Sequence, residues 1–245
     1  MKNKSSFLTF ILAIAVFVSM SISAFSYAST DGKNILTTEN IKTIYDSYYK
    51  EMPVTYAMND SRNVLNRSSF AEMNSINIDI STKEGQSEFF DLYEETGSLV
   101  EMAHSVNLYY ALCNQKDRGV GTAIVRPDGR IKQVFVGDNG ATYALNIDEE
   151  LQKQLEDSDL NLDATTAMFL GIPMYAEGIL LTDGSVEYYL PKNIRGGKLE
   201  IDKLYSVSSV FDDISANSED ILYGAVVLGE EHRDERGKYC PPTGG

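Results

Sequence analysis

Ser47 and Lys50 are the first residues whose types and spacing suggest chemistry. Set three apart, they match the Ser-x-x-Lys arrangement in which a lysine takes the proton of a nucleophilic serine. Residues three apart on a helix share a face. Each helical residue also turns by roughly 100°. That rotation puts Lys50 opposite the apolar stripe of Ile41, Ile44, Tyr45, Tyr48 and Met52, with Ser47 well to one side of it. Both are expected to face water. No Lys-Thr-Gly follows, and Ser105-x-Asn107 and Ser215-x-Asn217 are spacings too common to complete such a site.

His104 and Cys113 have the types of a thiolate–imidazole pair. They stand on one expected strand, where a rise of about 3.3 Å per residue keeps them far apart. His232 and Cys240 fall in a charged, then Pro- and Gly-rich, C-terminal tail, a poor place for preorganised catalysis. These four residues lack the close-pair spacings of a structural zinc site. Asp157, Asp159, Asn161 and Asp163 alternate like the first ligands of a calcium loop. Leu162 stands where that loop needs Gly, and Met168 where it needs Glu, so the standard loop is excluded. No catalytic, metal or cofactor residues are assigned. The chain has no Trp to stack on sugars but has 15 Tyr. Most of these, among them Tyr45, Tyr48, Tyr93 and Tyr143, fall on expected core faces. Tyr188-Tyr189 places one ring on each side of a strand.

Those residues belong to a chain built for export. Residues 1–28 have the parts of a secretory signal: Lys2 and Lys4, an apolar run from Phe7 to Met20, and Ser26-Tyr27-Ala28 before a cut after Ala28. The run is short for a span, which needs roughly 20 apolar residues; membrane association is expected only if the segment stays uncleaved. Cleavage removes Lys2 and Lys4 and no acid, taking the formal charge from −15 to −17. Such an acidic chain lacks the basic footprint of a nucleic-acid binder. In an extracytoplasmic setting Cys113 and Cys240 form a possible disulfide, tying the tail to the body. Cys240-Pro241-Pro242-Thr243-Gly244 resembles the Pro-x-Thr-Gly portion of a sortase signal. It lacks the leading Leu, the apolar span and the basic tail, so wall attachment is not expected.

The elements that must position these residues follow from periodicity. A helix is expected over 38–52, capped by Thr38 and stopped by Pro53. A polar loop holds Asn59 to Asn66, and Ile76, Ile78 and Ile80 alternate as a strand. A Ser81/Glu84 capping box opens a helix ending at Gly97, with Phe89, Phe90, Leu92 and Tyr93 buried. From 98 to 147 the period is two. Strands near 106–110, 120–126 and 130–136 are joined at Pro127-Asp128-Gly129, and a fourth over Ala141–Ile147 follows Asp138-Asn139-Gly140. Asp148 caps a short helix bearing Leu151 and Leu155. Apolar runs at 167–172 and 176–182 break around Pro173, and Asp183-Gly184 leads into Val186–Leu190. Further strands are expected within 199–210 and over 221–228. The hairpins around Asp128-Gly129 and Asp183-Gly184 look alike, a likeness that common turn chemistry explains.

The fold expected is α+β: an antiparallel, twisted sheet of about seven or eight strands carrying the 38–52 and 82–96 helices. One domain spans 29–229, with a possible division of the sheet near 160, and a flexible tail spans 230–245. The function expected is that of an exported, non-catalytic protein binding an unknown protein or small molecule. The alternative is a secreted hydrolase using carboxylates or the Ser47/Lys50 pair.

Overall fold

A capping box closes the first helix one residue earlier than the expected Thr38. Thr37 Oγ1 accepts from the Asn40 N–H, and Asn40 Oδ1 accepts from the Thr37 N–H. The computed structural model describes residues 34–50, 63–115, 119–135 and 143–222. Residues 1–28, Asp138-Asn139-Gly140, His232, Cys240, the rest of 230–245 and the Cys113 side chain lie outside them. Helix α1 (Thr38–Tyr48) buries Ile44 and Tyr48 and half-buries Ile41 and Tyr45, as their spacing implies, but it ends before the expected residue 52: Tyr49 is extended and Lys50 bridges to Phe70, while Met52 and Pro53 lie outside the described residues.

Strand β1 (Asn63–Ile76) includes Asn63 and Asn66, which composition had placed in a loop. The strand pairs antiparallel with β2 (Ala103–Gln115), from Asn63 opposite Gln115 to Ile76 opposite Ala103, and Asn66 falls in an irregularity between Leu65 and Phe70. The ladder satisfies main-chain groups whatever the side chains. Ile78 and Ile80 are buried but lie past the end of β1, not in a strand. Helix α2 (Lys83–Thr96) is capped by Thr82 rather than Ser81, because the Ser81 N–H is already held by Asp79 Oδ1 at 3.0 Å. It ends at Gly97 in the left-handed region, φ 68°. The short α3 (Leu99–Met102) follows. Strands β3 (Gly119–Val125) and β4 (Ile131–Phe135) are the second and third strands of the expected meander.

The fourth strand of that meander is absent where it is described: residues 143–147 join no sheet. Their main chain is bonded instead by phenols of α1 and the residue after it. Tyr48 donates to the Tyr143 carbonyl at 2.7 Å, Tyr49 accepts from the Leu145 N–H at 2.9 Å, and Tyr45 accepts from the Ile147 N–H at 3.1 Å. Helix α4 (Glu149–Glu156) then begins at its Asp148 cap as expected.

Strands β5 (Thr166–Ile172), β6 (Ala176–Thr182) and β7 (Glu187–Ile194) form the second antiparallel run. The strand expected within 199–210 shrinks to β8 (Tyr205–Ser206), and helix α5 (Val207–Ala216) takes over. Ser206 caps it, and Val207, Val210, Phe211 and Ile214 recur at helical spacing. Residues 221–222, at the start of the expected last strand, are helical.

The eight strands form one sheet in the order β4-β3-β2-β1-β5-β6-β7-β8. It is mostly antiparallel but mixed: β1 and β5 run parallel, at Met73–Phe169, Asn74–Leu170 and Ser75–Gly171. The two expected helices do not share a face. α2, α3 and α5 pack on one side, with Phe89, Leu99 and Phe211 against Leu170 and Tyr189. α1 and α4 pack on the other, with Ile44 and Leu155 against Phe169, Ile179 and Leu190. Strands covered on both faces read as continuous apolar runs, as β5 and β6 do.

Candidate functional site

The chain brings Ser47 and Lys50 to one groove of about 380 Å3, beside the parallel β1–β5 junction and with Glu72 and Asn74 in its wall. Ser47 does not face water freely, as helical spacing had implied. Its hydroxyl donates to the Ile44 carbonyl at 2.7 Å and accepts from the Ala167 N–H at 2.8 Å. It therefore gives the Ala167 N–H a partner ahead of the point where β1–β5 pairing begins, at Met73–Phe169. Lys50 Nζ lies 4.0 Å from the Glu72 carboxylate, and its N–H bonds the Phe70 carbonyl. Neither group is poised on the other.

His104 and Cys113 both lie on β2, nine positions apart along the strand. His104 is exposed at the rim of a second groove of about 480 Å3, lined by Ile78, Val106 and Pro173. No disulfide occurs among the described residues, which exclude both the Cys113 side chain and Cys240. The alternating acidic loop is held by the fold rather than arranged around an ion. Asp163 accepts from the Asn40 side chain at 2.7 Å, and the Asn161 N–H donates to Asp183 at 2.7 Å. Among the described residues no group of three or more His, Cys, Asp or Glu side chains gathers as metal ligands would. No helix among them is long and apolar enough to cross a membrane.

A third groove, of about 490 Å3, opens where four chain segments meet. The α2–α3 junction brings Tyr93, Ser98 and Glu101, and the β6–β7 hairpin brings Ser185, Glu187 and Tyr188. The loop after α4 brings Asp159, and the start of α5 brings Ser206 and Ser208. Among the described residues that line it, half carry a hydroxyl, three carry a carboxylate and none is basic.

Local structure fixes each wall. Glu187 bonds the Ser98 hydroxyl and accepts from the Leu99 N–H at 2.7 Å, so it caps α3 from across the groove. The Tyr93 ring stacks on Phe211 with centroids 3.6 Å apart. Burial, and then the nearby Glu187 charge, raise its phenol above the usual range. Tyr188 Oη accepts from the Asp159 N–H at 3.3 Å. Ser206 Oγ lies 3.0 Å from Ser208 Oγ and accepts from the Ser209 N–H. The hairpin tip is held by Asp183. Burial pushes its carboxyl up, but bonds from the Asn161, Ser185 and Val186 N–H groups and the Ser185 hydroxyl outweigh that and bring it to about 2. The Glu101 and Asp159 carboxylates make no hydrogen bond or ion pair among the described residues.

A separate polar knot lies over the far end of β6 and β7. Glu177 receives the Tyr143 hydroxyl, Asn193 Nδ2 at 3.1 Å and Arg195 at 2.7 Å. Burial first, then the bond to Glu177, push the Tyr143 phenol up to about 12. All the donors are spent on one carboxylate, so the knot fastens Tyr143 to the sheet.

No protein-family model, curated protein or solved structure matches this chain. Sequence reasoning found the Asp183-Gly184 turn, Asp159 and the two-sided Tyr188-Tyr189 pair, but not their convergence. It placed Tyr93 on a core face and missed Ser98, Glu101, Ser206 and Ser208. The serines left a trace: Ser98 and Ser206 each precede a helical run, as N-caps do.

Proposed function

We propose that this chain is an exported, non-catalytic binding protein whose ligand occupies the groove between Tyr93 and Tyr188. The observation that carries this reading is that groove: open, polar, and within the roughly 300–1,000 Å3 of small-molecule sites. Its walls are bonded to one another before any ligand arrives, which lowers the ordering cost of binding. The groups best suited to chemistry have structural employment elsewhere. The Ser47 hydroxyl is committed to two backbone groups, and Glu177 to three donors. A nucleophile needs a base within hydrogen-bond reach, and Ser47 is held by main chain instead.

Export is tested by collecting the protein outside the cell: its first residue should be Ser29, and retention in the cytoplasm would refute it. For the absence of catalysis, the purified chain is incubated with chromogenic esters, glycosides and peptides. No turnover is expected. Turnover abolished by Ser47→Ala would overturn the reading, whereas a Ser47→Ala variant that is only about 1–2 kcal/mol less stable would fit a hydroxyl that pairs the Ala167 N–H.

A further inference from the structure

Resting on that reading of the groove, we infer that its ligand is a saccharide without negative charge, neutral or amino-substituted. The lining discriminates by exclusion. An apolar ligand would strip water from hydroxyls and carboxylates and return no hydrogen bonds, a costly exchange. An anionic ligand would meet Glu101, Asp159 and Glu187, with no basic residue among the described residues of the wall to offset them. A hydroxyl-rich ligand meets neither obstacle. Carboxylates only accept, and those of Glu101 and Asp159, without a partner among the described residues, suit sugar hydroxyl donors. The Tyr93 and Tyr188 hydroxyls have a proton not donated among the described residues, so each can give one to a sugar oxygen.

The aromatic component is also present. Tyr93 and Tyr188 both line the groove, each half-buried against the core on its own side of the sheet and each ending in a polar tip. Both are fixed in place, Tyr93 by its stack on Phe211 and Tyr188 by its bond to Asp159. Fixed rings give up little freedom when a ligand arrives. The Ser98–Glu187 and Ser206–Ser208 bonds hold the remaining polar groups in register.

The test exposes the purified chain to an immobilised array of neutral, amino and anionic oligosaccharides. Retention is expected on neutral or amino members and not on anionic ones. The retained sugar is then titrated against Tyr188→Ala and against the double variant Glu101→Gln, Asp159→Asn, with circular dichroism confirming that each is folded. Each should weaken binding by about tenfold, the loss expected when one charge-assisted hydrogen bond or ring contact goes. Tyr188→Phe, which keeps the ring, should bind more tightly than Tyr188→Ala. Failure to retain any neutral or amino sugar, with spermine still shifting the groove tyrosine resonances, overturns the sugar class and leaves the groove as a binding site. A sugar bound equally well by wild type and all groove variants overturns both.

Discussion

Tyr48→Phe removes one oxygen and nothing else, which makes it a clean test of how the segment 143–147 is held. The Tyr48 side chain is 2% exposed, and its hydroxyl donates to the Tyr143 carbonyl at 2.7 Å. The phenylalanine ring fills the same space, so no cavity term arises. What is lost is one hydrogen bond, net about 0.5–1.5 kcal/mol, with a part-buried carbonyl left short of a donor. The sum expected is about 1–2 kcal/mol. For a domain of this size that lowers Tm by about 2–8 °C. Urea unfolding followed by circular dichroism gives the free energy. Hydrogen exchange by mass spectrometry localises it: in Tyr49→Phe the Leu145 amide loses its acceptor, and protection should fall by about 5–30-fold over 143–147. Tyr45→Phe should cost less, because its half-buried site admits water to the Ile147 N–H. If Tyr48→Phe and Tyr49→Phe unfold like the wild type and exchange over 143–147 is unchanged, the phenol ladder does not hold that segment and the reasoning fails.

Further outcomes follow from single groups. Burial, opposed by a bond to Leu145, raises the Tyr49 phenol to about 12, and Tyr143 reaches the same value. A phenol whose folded value is raised contributes stability fully below pH ~10 and loses it as pH rises towards 12. Alkaline titration should therefore show late phenolate absorbance coinciding with unfolding; every tyrosine titrating near 10 in a folded chain would contradict this. Asp183, depressed to about 2, contributes stability above pH ~4 that disappears as pH falls through 2. Asp183→Asn should flatten the stability profile in that window, and an unchanged acid limb would remove Asp183 as its cause. Gly178 sits where an added Cβ would come 2.4 Å from the Leu190 carbonyl. Gly178→Ala should destabilise by about 1–3 kcal/mol or more in urea unfolding, and a neutral result would mean that β6 and β7 can move apart there.

Local rules carried much of the architecture. Asp148, Gly97, Asp128-Gly129 and Asp183-Gly184 act through their own backbone or their nearest neighbours, so their sequence signals survive folding. The stripe of α1 and the apolar runs of β5 and β6 report burial, and burial is what the structure gives them. Competition between local signals explains two boundaries: Asp79 takes the Ser81 N–H and shifts the cap of α2, and Ser206 with its helical apolar spacing overrides a strand at 207–210.

What the sequence could not contain is the choice among partners distant along the chain. Alternation at 143–147 announces a backbone needing hydrogen bonds but not who provides them; three tyrosines about a hundred residues earlier do so. A strand's pattern carries no direction, so only the folded sheet decided that β1 and β5 run parallel and that Ser47 of α1 bonds the β5 backbone at Ala167. Lys192 looks like a surface lysine, yet it is buried and paired with Asp202. The groove is the extreme case, since its walls come from residues 93–101, 159, 184–188 and 206–208. Residue types and short-range geometry are written in the chain, whereas proximity between remote segments is settled only when the core closes and excludes the alternatives.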